Sequence, residues 1–432
     1  MCYNSKIEMI KYCPIGENMT YIELKKVAYK LHQNKEEIYK EYDKRINSIG
    51  TIKTGLFPNL MNRNDPSKQK CELFVVPLPE IYTTTERIMK NSGVIEKLSN
   101  ELPPMASMQF FFDTLTNEII STNEIEGIRS TRKELKKAIN AVENKKTKNV
   151  RLASTVKMYM ATFDDRNIQI KKLSDIKSIY DRLLDNEIDK DDLSDGKYFR
   201  QDSVKIINDS GTSIHYPPVG EDEINNRLEK WIDFINNKDI PFLIKSLVGH
   251  YYFENTHPFY DGNGRTGRYI LSTYLSRKLD KFTGMSLSKI VNAKKSTYYE
   301  AFKLTGDAKN FGEATFFVTE MLRLIEEGQQ TIIESLSNKR EKLVSVEKTI
   351  KSIYEPDSVE NFILSQLAQV ALFSDDRLND VKDMDIIEWA KKSNLFNTNS
   401  IKKGFIKLTE LGYLVQTSRK PLKHHISIDF IE

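Results

Sequence analysis

The chain has too few cysteines for a disulfide framework and no hydrophobic run long enough to span a membrane. Its three cysteines, Cys2, Cys13 and Cys71, lack metal-ligand spacing and cannot all pair, which points to a reducing compartment. The opening stretch MCYNSKIEMIKYCP has no apolar run followed by a cleavage signal. No later segment approaches the roughly 20 apolar residues that cross a bilayer. A cytoplasmic protein without membrane contact is the expectation. Charge of one sign is scarce too: 65 basic and 61 acidic residues leave +4, too small an excess to indicate nucleic acid. Arginine is much rarer than lysine, so each arginine inside a glycine-rich stretch stands out.

What is present is an ordinary globular balance, 39% hydrophobic and 29% charged over 432 residues, enough for about two to four domains. Residues 1–95 read as a mixed accessory region. Leu24, Val27, Ala28 and Leu31 recur at helical spacing, 73–76 suits a strand or buried loop, and 61–70 is polar and turn-like. From about residue 96 to 345 the pattern is helical, with helices expected over 106–120, 131–143, 150–163, 173–184, 221–237, 241–256 and 265–278. Thr131 with Glu134 three residues on has capping-box spacing. Between them, 203–207 and 212–216 flank Asn208-Asp209-Ser210-Gly211 and predict a small hairpin, stopped by Pro217-Pro218. Residues 355–432 look separate, set off by Glu355-Pro356-Asp357-Ser358. Two short helices over 385–391 and 399–411, then a hairpin over 412–428, follow the order of a winged-helix module. Lys402, Lys403, Lys407, Arg419, Lys420 and Lys423 lie around its second helix and wing. DNA contact would need that charge on one face; a solvated surface is the alternative.

The densest chemistry lies in His257-Pro258-Phe259-Tyr260-Asp261-Gly262-Asn263-Gly264-Arg265-Thr266-Gly267-Arg268, between two expected helices. Glycines let backbone approach a ligand and adopt positive φ, and the next helix opens with unpaired N–H groups and a positive dipole end. Arg265 and Arg268, three apart, project on the same face and add two guanidinium forks, as a polyphosphate site needs. Asp261 can hold a divalent cation bridging phosphate oxygens. His257 can serve as a general base near neutral pH. Such loops also cap helices and make structural ion pairs. The stretch is neither a P-loop nor a dinucleotide fingerprint, since it lacks the lysine and hydroxyl residue of the first and the strand context of the second.

This stretch resembles the signature of Fic-domain proteins, His-x-Phe-x-Asp/Glu-Gly-Asn-Gly-Arg-x-x-Arg, at every fixed position, and the resemblance extends over about residues 96–330. It implies a mainly α fold: a Fic-type helical core with a small β-hairpin flap, here joined to the winged-helix module. It also implies transfer of AMP from ATP, with Mg²⁺, to a Tyr, Thr or Ser hydroxyl of a target protein, self-modification included. His257 would take the hydroxyl proton and Asp261 would ligate the metal. Asn263 and the backbone N–H groups around Gly264 and Gly267 would hold the α-phosphoryl group, Arg265 the β-phosphate and Arg268 the γ-phosphate. Phe259 would anchor the loop in the core. The hairpin, with Ile206, Ile207, Ser213 and Ile214, corresponds to a flap that docks the target by backbone pairing.

Upstream, Thr122-Asn123-Glu124-Ile125-Glu126-Gly127 resembles the family's inhibitory motif, in which Glu126 would pair with Arg268 and withhold it from the γ-phosphate. An autoinhibited adenylyltransferase is the leading reading. The rivals are removal of AMP from a modified protein, with Glu126 positioning a water, and a DNA-binding regulator whose core is only a sensor. His257 argues against the sensor, which needs no base. Oligomerisation stays open.

Overall fold

The computed structural model describes residues 21–163, 169–207, 211–375, 380–392 and 394–431. The chain begins with α1 (Leu24–Lys30) and α2 (Lys35–Ile46), the latter capped by Asn34, whose side chain accepts from the Glu36 and Glu37 N–H groups. Two antiparallel ribbons follow: β1 (Ile52–Lys53) pairs with β4 (Phe74–Val75), and β2 (Met61–Asn62) with β3 (Asp65–Pro66). The helical spacing near Leu24 and the apolar run at Phe74 thus form as expected, and the polar 61–70 stretch contains a tight hairpin. Arg45 ties this region to the rest through a buried 2.9 Å ion pair with Glu313, which also accepts a hydrogen bond from Tyr21. Cys71 is a buried free thiol, and Cys2 and Cys13 lie outside the described residues.

Helical structure begins at α3 (Pro79–Asn100), earlier than residue 96, so the boundary expected at 95 falls inside a helix. Pro79 starts it at no cost, because a first-turn residue needs no N–H acceptor. Ile81, Ile88 and Ile95, seven apart, form a buried stripe along it. Then come α4 (Pro104–Ile125), α5 (Arg132–Glu143), α6 (Ala153–Phe163) and α7 (Leu173–Leu183). The Thr131–Glu134 capping box at α5 forms as the spacing implies. Strands β5 (Ile206–Ile207) and β6 (Ser213–His215) make the expected hairpin, irregular in register; 208–210, where its turn was expected, lie outside the described residues.

Helices α8 (Glu221–Asn236), α9 (Phe242–Thr256) and α10 (Asn263–Lys278) follow. α9 is buried on nearly every face, which places the loop after it at the centre of the core. Three shorter helices, α11 (Lys281–Gly284), α12 (Leu287–Ala293) and α13 (Lys295–Gly306), lead to the long α14 (Thr315–Ile353), which packs along α3.

Beyond Pro356 the chain forms α15 (Val359–Phe373), β7 (Val381–Lys382), α16 (Asp383–Lys392), α17 (Thr398–Glu410), β8 (Leu414–Arg419) and β9 (Leu422–Ile426), with sheet order β7-β9-β8. The two expected helices and hairpin are present, but α15 and β7 were not foreseen. Nor is the region apart from the core. α15 packs on α4, with Phe373 edge-on to Phe110, and its apolar cluster takes in Met105, Val346 and Ile350. Among the described residues no helix is long and apolar enough to cross a membrane.

Candidate active site

The loop between α9 and α10 is held in two left-handed turns. His257 ends α9 at φ 50°, ψ 63°, and Gly262 precedes α10 at φ 79°, where a Cβ would also meet Leu184 at 2.3 Å. Between them Phe259 is fully buried, stacked on Tyr180 with centroids 3.7 Å apart and edge-on to Phe199. Burial of that ring stabilises the loop by about 1.5–3 kcal/mol. Asn263 closes the turn, accepting from Phe259 N–H and donating to Phe259 C=O, both at 2.8 Å. Its side chain therefore braces the loop, satisfying both buried backbone groups of Phe259 and leaving its second amide N–H uncommitted to them.

Arg200 is a further brace that sequence reasoning missed. Fully buried, it donates Nε to His257 C=O at 2.8 Å, Nη1 to Asp202 C=O at 2.7 Å and Nη2 to Pro218 C=O at 2.8 Å. Burial pulls its pKa down to about 10. The only signal in the chain was a single arginine in a sequence where arginine is scarce.

His257 is half-buried, and its Nδ1 has no hydrogen-bond partner among the described residues. Burial, with His215 and Arg200 adding to it, lowers its pKa to about 3, so the imidazole is uncharged at neutral pH. His215 lies at about 4 for the same first reason, with Nε2 2.7 Å from Asn255 C=O.

The two arginines of the motif end on different carboxylates. Arg265 donates Nη2 to Asp261 at 3.1 Å and Nη1 to Glu187 at 3.4 Å; Glu187, in the turn after α7, was not foreseen. Arg268 turns to α4. It donates Nε to Thr122 Oγ1 at 3.0 Å, and Nη2 to Thr122 C=O at 3.1 Å and to Glu126 Oε1 at 2.7 Å. Burial alone would raise the Glu126 carboxyl, but Arg268, with Arg265 and His257 nearby, holds it below the usual range. That carboxylate lies over the first turn of α10: a Cβ on Gly264 would stand 2.2 Å from Glu126 Oε1. An anion therefore already occupies the helix N-terminus, where backbone donors and the dipole favour negative charge.

Glu254 and His250 form a second layer behind Arg268. A Cβ on Gly267 would stand 2.0 Å from Glu254 Oε1, an oxygen without a hydrogen-bond partner among the described residues. Burial pushes Glu254 up to about 8 and His250 down to about 3; His250 Nε2 lies 2.8 Å from Tyr298 Oη. On the flap, Ile207 and Ile214 are exposed while Ile206 and Ser213 are half-buried. Among the described residues no three His, Cys, Asp or Glu side chains group to hold a metal unaided. Asp261, 45% exposed at its side chain, fits the role of a single carboxylate for Mg²⁺, which takes its other oxygens from phosphates and water.

The site is a helix-loop-helix in which a glycine-lined helix start, two arginines and a neutral histidine meet inside a helical domain. The comparisons with known proteins give it a family. Residues 170–275 match the Fic/DOC family, and the chain is a Fic/DOC-domain protein, homologous to the Fic adenylyltransferases. Over 143 residues it is 29% identical to the protein adenylyltransferases Fic of Drosophila virilis and Drosophila melanogaster, covering 32% of this chain and 26% of each relative. The chain thus spans about a quarter of the length of the curated relatives it matches. Among solved structures, a Fic family protein from Desulfovibrio desulfuricans aligns over 82% of this chain and 97% of its own, at 16% identity and TM-score 0.48. Fic-1 from C. elegans aligns over 60% and 74%, at 17% identity and TM-score 0.40. The family match contains His257, Arg265 and Arg268 but stops short of α4, so Glu126 comes from outside it.

Proposed function

We propose that the protein is an autoinhibited, Mg²⁺-dependent protein adenylyltransferase. The observation that carries this reading is the Glu126 carboxylate on Arg268, over the glycine-lined start of α10, in the place a nucleotide phosphate would take. In the active form the flap pairs with an extended target segment through backbone groups, with Ile207 and Ile214 outermost. The neutral His257 imidazole accepts the proton of the target hydroxyl, whose oxygen forms a bond to the α-phosphorus of ATP. The bond from that phosphorus to the bridging oxygen breaks, and pyrophosphate leaves. Arg265 and Arg268, with the first-turn N–H groups of α10, hold the departing phosphates, so catalysis is positioning plus charge stabilisation. Asp261 would hold Mg²⁺, which would supply charge neutralisation at the phosphates.

The family relationship supports the chemical class, and the curated relatives named as protein adenylyltransferases support AMP as the group moved. Removal of AMP is the second reading, and the half-exposed, ionised Glu126 near His257 favours it, since a carboxylate there can orient a water. We read residues 355–432 as a winged-helix module from element order, and the protein as cytoplasmic. No observation favours DNA: Lys407 and Lys423 are paired with Glu360 and Asp380. The test is incubation with α-labelled ATP and Mg²⁺ in a lysate, followed by mass spectrometry of labelled proteins, for the parent and Glu126→Gly. Label on Tyr, Thr or Ser side chains, stronger with the variant, supports transfer. Absence of label from both, with free AMP released from a pre-modified target, would replace transfer by removal.

A further inference from the structure

Arg265 is shared by two carboxylates of opposite accessibility. Its guanidinium is 3% exposed, Glu187 is 6% exposed, and Asp261, at the mouth, is 45% exposed. Glu187 is fixed in place. Its Oε1 accepts from Thr155 Oγ1 at 2.8 Å, its N–H donates to Leu184 C=O at 2.9 Å, and the same Thr155 hydroxyl lies 2.8 Å from Leu183 C=O. The single proton of the α6 hydroxyl is shared between these two acceptors, so Thr155 sits between Glu187 and the end of α7. The Nε of Arg265 is buried and has no partner among the described residues.

We propose that Glu187 is a positioning residue that holds Arg265 so that Asp261 is free to bind the divalent cation. The inference rests on the reading of Asp261 as the metal ligand. A guanidinium bonded to Asp261 alone would compete with the cation for the same carboxylate. It would also be left as a bare buried charge whenever Asp261 turned to the metal, a costly state. A second carboxylate, deep in the fold and tied to Thr155, removes both problems. Glu187 keeps the guanidinium charge paired and oriented toward the phosphates while the exposed Asp261 turns outward. The buried carboxylate serves the arginine, and the exposed one serves the cation.

The experiment is calorimetric titration with a non-hydrolysable ATP analogue over a series of Mg²⁺ concentrations, in the full chain carrying Glu126→Gly, with and without Glu187→Gln. Gln keeps an acceptor for Thr155 and removes only the charge. The Mg²⁺ concentration for half-maximal binding should rise roughly three- to tenfold, the yield of a long charge-assisted bond. Affinity at saturating Mg²⁺ should stay within about twofold, since the arginine itself is intact. Thr155→Val, which loosens Glu187 without touching its charge, should shift the Mg²⁺ requirement in the same direction by less, and serves if Glu187→Gln does not fold. An unchanged Mg²⁺ dependence, or equal weakening at every Mg²⁺ concentration, overturns the inference while leaving Asp261 in its role. If Asp261→Ala in the same background does not alter the Mg²⁺ dependence, the metal reading itself fails and takes this inference with it.

Discussion

Glu126 Oε1 lies 2.7 Å from Arg268 Nη2 across 142 positions of sequence, and Thr122, one helical turn earlier on α4, takes two more bonds from the same guanidinium. One guanidinium cannot serve two anions in the same geometry, so a γ-phosphate at Arg268 must displace Glu126.

Glu126→Gly should therefore raise adenylylation, self-modification included. A charge-assisted hydrogen bond is worth roughly 1.5–3 kcal/mol, so relief of competition alone gives about ten- to hundredfold. Adding Arg268→Ala should return activity to a low level, because freeing an absent arginine achieves nothing. Initial rates of labelled AMP incorporation for the parent, both single variants and the double variant decide this. Unchanged or lower incorporation by a folded Glu126→Gly protein would remove the inhibitory role.

His257→Ala, made in the Glu126→Gly protein, should cut transfer about 10²- to 10⁴-fold, the usual effect of losing a general base. Nucleotide binding should persist, since the proposed mechanism gives the phosphates to Arg265, Arg268 and α10. The measurement pairs transfer rates with calorimetric affinity for ATP. Transfer within a factor of about two of the His257 protein would show that the imidazole does not take the proton.

The candidate loop was legible because its features are contiguous: His257 to Arg268 carry turn, helix start, two arginines and a histidine within one stretch. The Arg268–Glu126 pair was legible only through two motifs read together, since nothing local links them. Glu187 and Arg200 were not legible, because their partners are a buried guanidinium and backbone carbonyls that meet only in the folded chain. The bracing role of Asn263 was not legible either, because its partner is the backbone of Phe259, which only the folded loop brings to it. α15 escaped notice because it is buried on most of its circumference and shows no amphipathic stripe. The Pro356 break suggested a separate module, while the packing of Phe110 and Met105 that joins it to α4 leaves no local trace.

Gly264→Ala tests the placement of Glu126 without relying on activity. The added methyl would stand 2.2 Å from Glu126 Oε1 and 2.9 Å from Arg268 Nη1. In the parent, overpacking of this kind costs about 1–3 kcal/mol. In Glu126→Gly the closer obstacle is gone, so the same change should cost less, with a coupling of about 0.5–3 kcal/mol between the sites. Thermal midpoints of the four proteins give the cycle. Additive effects would mean that Glu126 does not stand over Gly264 in solution.

The buried groups behind the site also predict how stability varies with pH. His250, at about 3 when folded against an ordinary 6.5, stays neutral in the fold while the unfolded chain binds a proton below 6.5. Its stability contribution is complete above 6.5 and is lost as pH falls, at about 1.4 kcal/mol per pH unit. His257, at about 3, and His215, at about 4, act with the same sign. Glu254 runs the other way: at about 8 when folded against 4.5, it keeps its proton in the fold, and its contribution is present below 4.5 and lost as pH rises to about 8. Glu118, at about 7, joins it. Between 4.5 and 6.5 the histidines outweigh the two glutamates, and above 6.5 only the glutamates act, so these five groups place the stability maximum near 6.5. Glu254→Gln removes one proton from the alkaline side and should flatten the fall in thermal midpoint between 6.5 and 8. His250→Gln should flatten the acid side and leave the alkaline side alone. Thermal midpoints from pH 4.5 to 8 for the parent and both variants are the measurement. An alkaline limb as steep in Glu254→Gln as in the parent would mean that Glu254 is ionised in the fold and is paired with Arg268.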